Sequence, residues 1–313
     1  MGRILLLVAS LALAGGACAS DSASSAAGDG GPESDAPRSD ARRKLVFGGA
    51  RPAVLRVPAS YDPDKTYPLV VVLHGYSASG LYQATYLGFI ALAAQREMLL
   101  VYPDGTKNLS GIPYWNASPA CCRRDASPEV DDVAYLDALI AEISDSYRVD
   151  PKRIYLVGHS NGGYMAYRMA CDKASRVAAI VSLAGASRQR QNCAPSEPVS
   201  VLHVHGDNDP TVRFDGDGSG EMAYPGALAS LANWASYDGC SGQLVADSGA
   251  GAKLDLDSTI AGAETEVSRY AGCPAGIDLE LWRIVGGGHL PLFVTPTIFA
   301  ELTFDWLLAH PKR

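Results

Sequence analysis

The chain has 313 residues, and its acidic groups outnumber its basic ones, leaving a formal net charge of −8. That balance excludes nucleic acid as a partner, because a phosphate backbone is held by a basic stripe. It leaves neutral and polymeric substrates open.

Arg3 precedes an apolar run over residues 4–14 and then small residues at 15–20, the pattern of a secretory signal. The run is shorter than the roughly 20 apolar residues a membrane span needs. Two cleavage readings stand. One cuts after Ala19, through Ala17-Cys18-Ala19. The other takes residues 13–18 as similar to a bacterial lipoprotein box, with Cys18 carrying a lipid anchor, although Gly15 stands where that box usually has Leu. Residues 20–43 are rich in Ser, Ala, Gly, Asp and Pro and hold almost nothing to bury, so they read as a disordered linker. The remaining chain, 44–313, shows no second composition shift and no internal repeat, and reads as one domain. The expected location is outside the cell, either secreted or as an outer-surface or periplasmic lipoprotein.

Along the domain, apolar runs alternate with amphipathic stretches. Strands are expected at 45–47, 53–57, 69–73, 99–102, 154–157, 179–183, 199–204 and 279–284, each short and bounded by Gly, Pro or Asp. Helices are expected at 81–96, 131–147, 162–174, 227–237 and 295–308. Such alternation predicts an α/β fold, with a mostly parallel sheet covered by helices on both faces. Reactive groups in these sheets sit just beyond the carboxyl ends of the strands.

After the strand at 154–157 comes Gly158-His159-Ser160-Asn161-Gly162-Gly163. This is G-x-S-x-G between a strand and a helix, the context in which the motif projects a nucleophilic serine from a sharp turn. The glycines are needed because side chains there collide with neighbouring backbone. A serine hydroxyl needs a base, and the chain order Ser, acid, His narrows the choice. His289 follows the last strand through Gly286-Gly287-Gly288 and precedes the final helix, so it is the expected base. The acid should lie in His205-Gly206-Asp207-Asn208-Asp209-Pro210. Asp209 is preferred over Asp207, because Pro210 makes a rigid turn that aims it, while Asp207 reads as a turn-former bonding its own backbone. The oxyanion donors are expected to be the backbone N–H groups of Tyr76, in the turn after residues 69–73, and of Asn161. His74 reads as structural.

These residues resemble the polyhydroxybutyrate depolymerase and feruloyl esterase group of carbohydrate esterase family one. The shared pieces are LHGY at 73–76, YPDGT at 102–106, WNA at 115–117, CC at 121–122, DDVAYL at 131–136, GHSNGG at 158–163, HGDNDPTV at 205–212 and GGGH at 286–289. The likeness runs from about residue 45 to the C-terminus. It implies an α/β-hydrolase fold without a large cap, no cofactor, and Ser160, Asp209 and His289 as a triad. It also implies that Trp115 and Asn116 lie near the substrate cleft. Asp131 and Asp132 read as a helix start and a loop tie. One departure stands out: where the group often follows GGGH with an aromatic residue and Pro, this chain has Leu290-Pro291-Leu292. Within that frame Cys171 is expected to meet Cys193 and Cys240 to meet Cys273, leaving Cys121 and Cys122 to pair vicinally or stay reduced.

The loop 215–220 has calcium-like Asp and Gly spacing, but the twelfth position, where a binding loop needs Glu, is Gly226. The segment 184–199 is too short for a lid, which predicts an open cleft. The expected function is ester hydrolysis through an acyl-enzyme, on feruloyl-type esters of plant polysaccharide or on short polyhydroxyalkanoate esters. The alternatives are an acyltransferase or peptidase on the same fold, or a non-catalytic surface binding protein. The partner expected is an ester, free or polymer-linked.

Overall fold

The central apolar runs become strands of one sheet because each is apolar enough to be covered on both faces. The structure is a computed structural model, and it describes residues 44–122, 129–189, 193–249, 251–293 and 296–313. The expected signal, linker and Cys18 anchor lie outside the described residues. The strands are β1 (Val46–Phe47), β2 (Ala53–Arg56), β3 (Tyr67–Leu73), β4 (Leu99–Val101), β5 (Val149–His159), β6 (Ala179–Leu183), β7 (Ser200–Gly206), β8 (Leu244–Ala246), β9 (Lys253–Leu254), β10 (Thr265–Tyr270) and β11 (Leu279–Ile284). Their order is β1-β2-β4-β3-β5-β6-β7-β11-β10-β8, with β9 also pairing β10. From β4 through β3, β5, β6 and β7 to β11 every pairing is parallel. Both margins are antiparallel.

Every residue of β3, β6 and β7 is buried. The alternation along β3 shows why. Leu69, Val71 and Leu73 pack into one core, with residues of α3 (Asp132–Ser146), α4 (Asn161–Asp172) and α5 (Ala227–Asp238). Val70 and Val72 pack into a second, with α1 (Gly80–Tyr86), α2 (Phe89–Gln95) and α6 (Pro296–Ala309). Successive side chains of a strand point to opposite faces, so one apolar run feeds both cores.

The structure differs from the sequence reading in its first expected helix and in its edge strands, and it adds two short strand pairs, Thr106–Lys107 with Pro113–Tyr114 and Gly216–Asp217 with Tyr224–Pro225. The single helix expected at 81–96 is two, because Gly88 takes a left-handed conformation (φ 75) and restarts the chain as α2. The strands β8, β9 and β10 were not anticipated. β10 alternates Thr265, Val267 and Arg269 with Glu266, Ser268 and Tyr270, and only one face is buried, so its apolar content is low. The cysteines pair as Cys171–Cys193, Cys240–Cys273 and the vicinal Cys121–Cys122. The first two bridge 22 and 33 residues of chain. In the chain-entropy account, loops of that size stabilise a fold by about 3–4 kcal/mol each. Among the described residues no helix is long and apolar enough to cross a membrane.

Candidate active site

The nucleophile turn joins β5 to α4. Ser160 sits at the helix start with φ 54 and ψ −120, a conformation L-residues rarely adopt. Its N–H donates to the Leu183 carbonyl at 2.8 Å, which pins the turn to β6. Two glycines make the turn possible. A Cβ on Gly158 would stand 2.1 Å from the Gly162 carbonyl oxygen, and one on Gly162 would stand 2.1 Å from that of Leu73. Both obstacles are backbone, so neither can swing aside.

The loop after β11 returns over the sheet edge and brings His289 to this serine. Its Nε2 lies 2.9 Å from Ser160 Oγ, and its Nδ1 lies 2.7 Å from Asp209 Oδ2. Asp209 follows β7. Its Oδ1 accepts the N–H groups of Thr211 at 2.7 Å and Val212 at 3.0 Å. Its Oδ2 also faces His205 Nε2 at 3.3 Å. Burial pushes the Asp209 carboxyl upward, but donation from His205, His289 and Thr211 outweighs it and holds the group well below the usual carboxylate range. With Asp209 as a charged acceptor, Nδ1 of His289 carries the proton, and Nε2 is left to accept from Ser160. Asp207, the rival acid, points elsewhere. Rather than bonding its own turn, it accepts Gly286 N–H at 2.7 Å and pairs with Arg283 at 2.8 Å, tying the loops that carry Asp209 and His289.

The turn after β3 faces the serine from the other side. Tyr76 lines the cleft beside Ser160. The Asn161 N–H is the first of α4, and no carbonyl one turn back is available to it within the helix. His74 is a brace. Its Nε2 accepts Gly105 N–H at 2.8 Å, so its Nδ1–H donates to the Gly75 carbonyl at 2.8 Å. Burial lowers its pKa, which suits a neutral ring.

Trp115 and Asn116, expected near the cleft, do not line it. Trp115 is fully buried behind the nucleophile. Its indole N–H donates to the His74 carbonyl at 3.1 Å. The Asn161 side chain clamps its backbone from both ends, accepting its N–H at 2.6 Å and donating to its carbonyl at 2.9 Å. Asn116 N–H donates to Asp132 at 2.7 Å and its amide donates to the Val130 carbonyl at 3.0 Å. Asp131 caps α3 through Ala134 N–H at 2.9 Å, and Asp132 also accepts Arg51 at 2.6 Å. Trp115 and the Asn161 side chain therefore join the turn after β3 to the start of α4. Spacing gave no hint of this, because the contact spans 46 residues of sequence.

The cleft above Ser160 has a volume of about 340 Å³. Tyr82, Gln83, Tyr86, His159 and Leu290 line it, with the turn at residues 75–78. Leu290 is 56% exposed and Tyr82 is 61% exposed, so the mouth has an apolar rim. Tyr86 donates its hydroxyl to the Pro291 carbonyl at 2.8 Å, which fixes the altered Leu-Pro-Leu segment to α1. His159 is a further site residue. Its Nε2–H donates to the His289 carbonyl at 2.9 Å and so holds the base loop from beneath. Burial, and then the charge of His289, lower its pKa to about 4. The one signal in the sequence was its place beside Ser160.

The profile of the Alpha/beta hydrolase family matches residues 70–302, which carry all of these groups. Among characterised relatives, the chain is 27% identical over 248 residues to feruloyl esterase B of Piromyces equi, covering 76% of this chain and 42% of that protein. It is 26% identical over 273 residues to feruloyl esterase C of Emericella nidulans, covering 83% of this chain and 84% of that one. The chain thus spans less than half the length of the first of these. The solved acetyl xylan esterase from Aspergillus awamori superposes with a TM-score of 0.57 at 16% identity, covering 83% of this chain and 94% of that one, and it shows the fold. With the profile spanning the strands, the nucleophile turn and the base loop, this chain belongs to the Alpha/beta hydrolase family.

Proposed function

We propose that the protein is an exported serine carboxylic-ester hydrolase working through an acyl-enzyme. The observation that carries the reading is the continuous chain Ser160 Oγ, His289 Nε2, His289 Nδ1, Asp209 Oδ2 at 2.9 and 2.7 Å. In the first half-reaction Ser160 Oγ attacks the ester carbonyl carbon, and its proton passes to His289 Nε2. The carbonyl oxygen becomes an oxyanion facing the N–H groups of Tyr76 and Asn161. His289 then gives the proton to the departing alcohol as the C–O bond breaks. In the second half-reaction His289 takes a proton from water, hydroxide adds to the acyl carbon, and Ser160 leaves with the proton returned to it. Asp209 holds the tautomer and the imidazolium throughout, without itself being protonated.

The cleft favours an aromatic or short acyl group. Its walls are Tyr82, Tyr86 and Leu290, and it opens to the surface rather than into a long tunnel. Feruloyl-type esters of plant polysaccharide fit this lining, and the names of two relatives point the same way. Short polyhydroxyalkanoate esters are the second substrate class. The secretory-type leader supports export, with cleavage either after Ala19 to release the protein or before Cys18 to leave that residue lipid-anchored, and export agrees with paired cysteines that persist in oxidising surroundings. The deciding experiment measures hydrolysis of p-nitrophenyl, feruloyl and 3-hydroxybutyryl esters by wild type and Ser160→Ala. A loss of about 10⁶ in turnover is expected on losing the nucleophile. Turnover retained by Ser160→Ala would overturn the mechanism.

A further inference from the structure

Three buried side chains on the far side of Asp209 take no part in the mechanism above. Tyr167 on α4 and His203 and His205 on β7 are all essentially inaccessible. They form a line. Tyr167 hydroxyl meets His203 Nδ1 at 2.7 Å, His203 Nε2 meets His205 Nδ1 at 3.0 Å, and His205 Nε2 meets the Val212 carbonyl at 2.8 Å. The last nitrogen also faces Asp209 Oδ2 at 3.3 Å.

The proton positions along this line follow from its end. A carbonyl only accepts, so His205 Nε2 carries the proton. With neutral rings, His205 Nδ1 is then an acceptor, and His203 Nε2 must donate to it. That makes His203 Nδ1 an acceptor in turn, and the Tyr167 hydroxyl donates. Burial supports the neutral forms of Tyr167 and His203. It holds His203 well below the usual histidine range and Tyr167 well above the usual phenol range. Every hydrogen bond in the chain therefore runs one way, from α4 towards the acid.

We propose that Tyr167, His203 and His205 form a one-way donor chain that fixes the His205 tautomer, and that His205 is a positioning residue for Asp209. His205 divides its N–H between the Val212 carbonyl and Asp209 Oδ2. It thereby fixes the Asp209 turn and supplies the fourth donor that the carboxylate receives, after His289, Thr211 and Val212. The Oδ2 that bonds His289 is the one His205 reaches, so losing that donor frees the oxygen that aims the base. The two histidines at alternate positions of one strand share a face, which is why one chain can run along it.

This inference rests on the serine-hydrolase reading, and the test separates the two. Selective ¹⁵N labelling of the histidines in the full protein reads the tautomers without any turnover. Nε2–H is expected on both His203 and His205, and Nδ1–H on either ring in wild type overturns the chain. Tyr167→Phe removes only the first donor. It is expected to mix the His203 and His205 tautomers and to lower kcat severalfold, and unchanged tautomers with unchanged kcat overturn the relay. His205→Phe is expected to lower kcat about 10- to 100-fold, the scale of one hydrogen bond to a charged group. KM is expected to stay within about threefold, because no substrate contact is lost. His205→Gln, whose amide N–H can take the place of Nε2–H, is expected to recover most of that loss. Equal losses in the folded Phe and Gln variants, or wild-type kcat in His205→Phe, overturn the positioning role. Fluorophosphonate labelling of wild type checks the nucleophile itself. Failure there sinks the hydrolase reading and leaves the tautomer result standing on its own.

Discussion

Two buried carboxylates stand at opposite ends of β7, and the protein treats them oppositely. Asp209, beyond its carboxyl end, receives His289, His205, Thr211 and Val212 as donors. Asp238, at the end of α5, packs against the strand's beginning, where its Oδ1 accepts the Val199 N–H at 3.2 Å. Its Oδ2 is buried with no partner among the described residues. Burial pushes both carboxyls up. For Asp209 the donors overwhelm it, whereas Asp238 is left raised to about 7. The contrast follows the donors each carboxylate receives against the burial that pushes both up. The carboxyl end of the strand, beside His289, is supplied with donors, and the amino end is not.

The most severe way to break the contrast is to turn the supplied carboxylate into an amide. Asp209→Asn keeps shape and burial but presents an N–H₂ where His289 needs an acceptor. The base is then drawn into the wrong tautomer, with Nε2 protonated and unable to accept from Ser160. A fall in kcat of about 10⁴ is expected, with KM little changed. A variant within tenfold of wild type would show that another group serves as the acid. Asp207 is the neighbour to examine in that event.

A smaller effect is expected at the nucleophile side, by creating there the kind of orphan that Asp238 already has. Trp115→Phe keeps the ring in its pocket but removes the indole N–H from the His74 carbonyl. An unsatisfied buried acceptor costs about 1–3 kcal/mol. For a chain of this size that corresponds to a drop in Tm of roughly 5 °C. Because His74 begins the turn that carries the proposed oxyanion donor Tyr76, kcat is expected to fall by about tenfold. A fall in Tm with no change in kcat would confine Trp115 to stability.

The sequence exposed the residues of the Ser160–His289–Asp209 line more readily than the groups that support it. Ser160, His289 and Asp209 were legible because each sits in a short local pattern: glycines flanking a serine, a glycine run before a histidine, a turn fixed by Pro210. The roles of Trp115 and of the Asn161 side chain were not, because the clamp joins a loop and a helix start that meet only after folding. His159 and His205 were hidden in a different way. They lie inside motifs whose neighbours take the direct parts, and only the geometry shows them bracing the base loop and the acid. In the fold, the fully buried parallel strands announced themselves as apolar runs. The half-buried edge around β10 carries Glu266, Arg269 and few apolar residues, so no apolar run marks it.

The mildest change works on Asp238 and is expected to leave kcat unaltered, since the residue lies at the far end of β7 from Ser160. Its effect is on stability and depends on pH. A carboxyl whose folded pKa is about 7 and whose unfolded pKa is about 3.9 binds more protons in the folded state between those values. Stability from this group therefore falls as pH rises from about 4 to 7, and the loss is complete above pH 7. Asp238→Asn cannot ionise, so it removes that decline. The variant is expected to melt a few degrees above wild type at pH 8 and level with it near pH 4. Asp209 gives the opposite sign. Its depressed pKa contributes stability that is present above about pH 4 and is lost as pH falls further. Asp238→Asn should thus remove the decline that Asp238 contributes between about pH 4 and 7 and leave the acid-side rise from Asp209 and from the buried histidines His74, His159 and His203 in place. A variant that melts at the wild-type temperature at pH 8 would mean that Asp238 is already fully compensated in its charged form, and the contrast between the two ends of β7 would be lost.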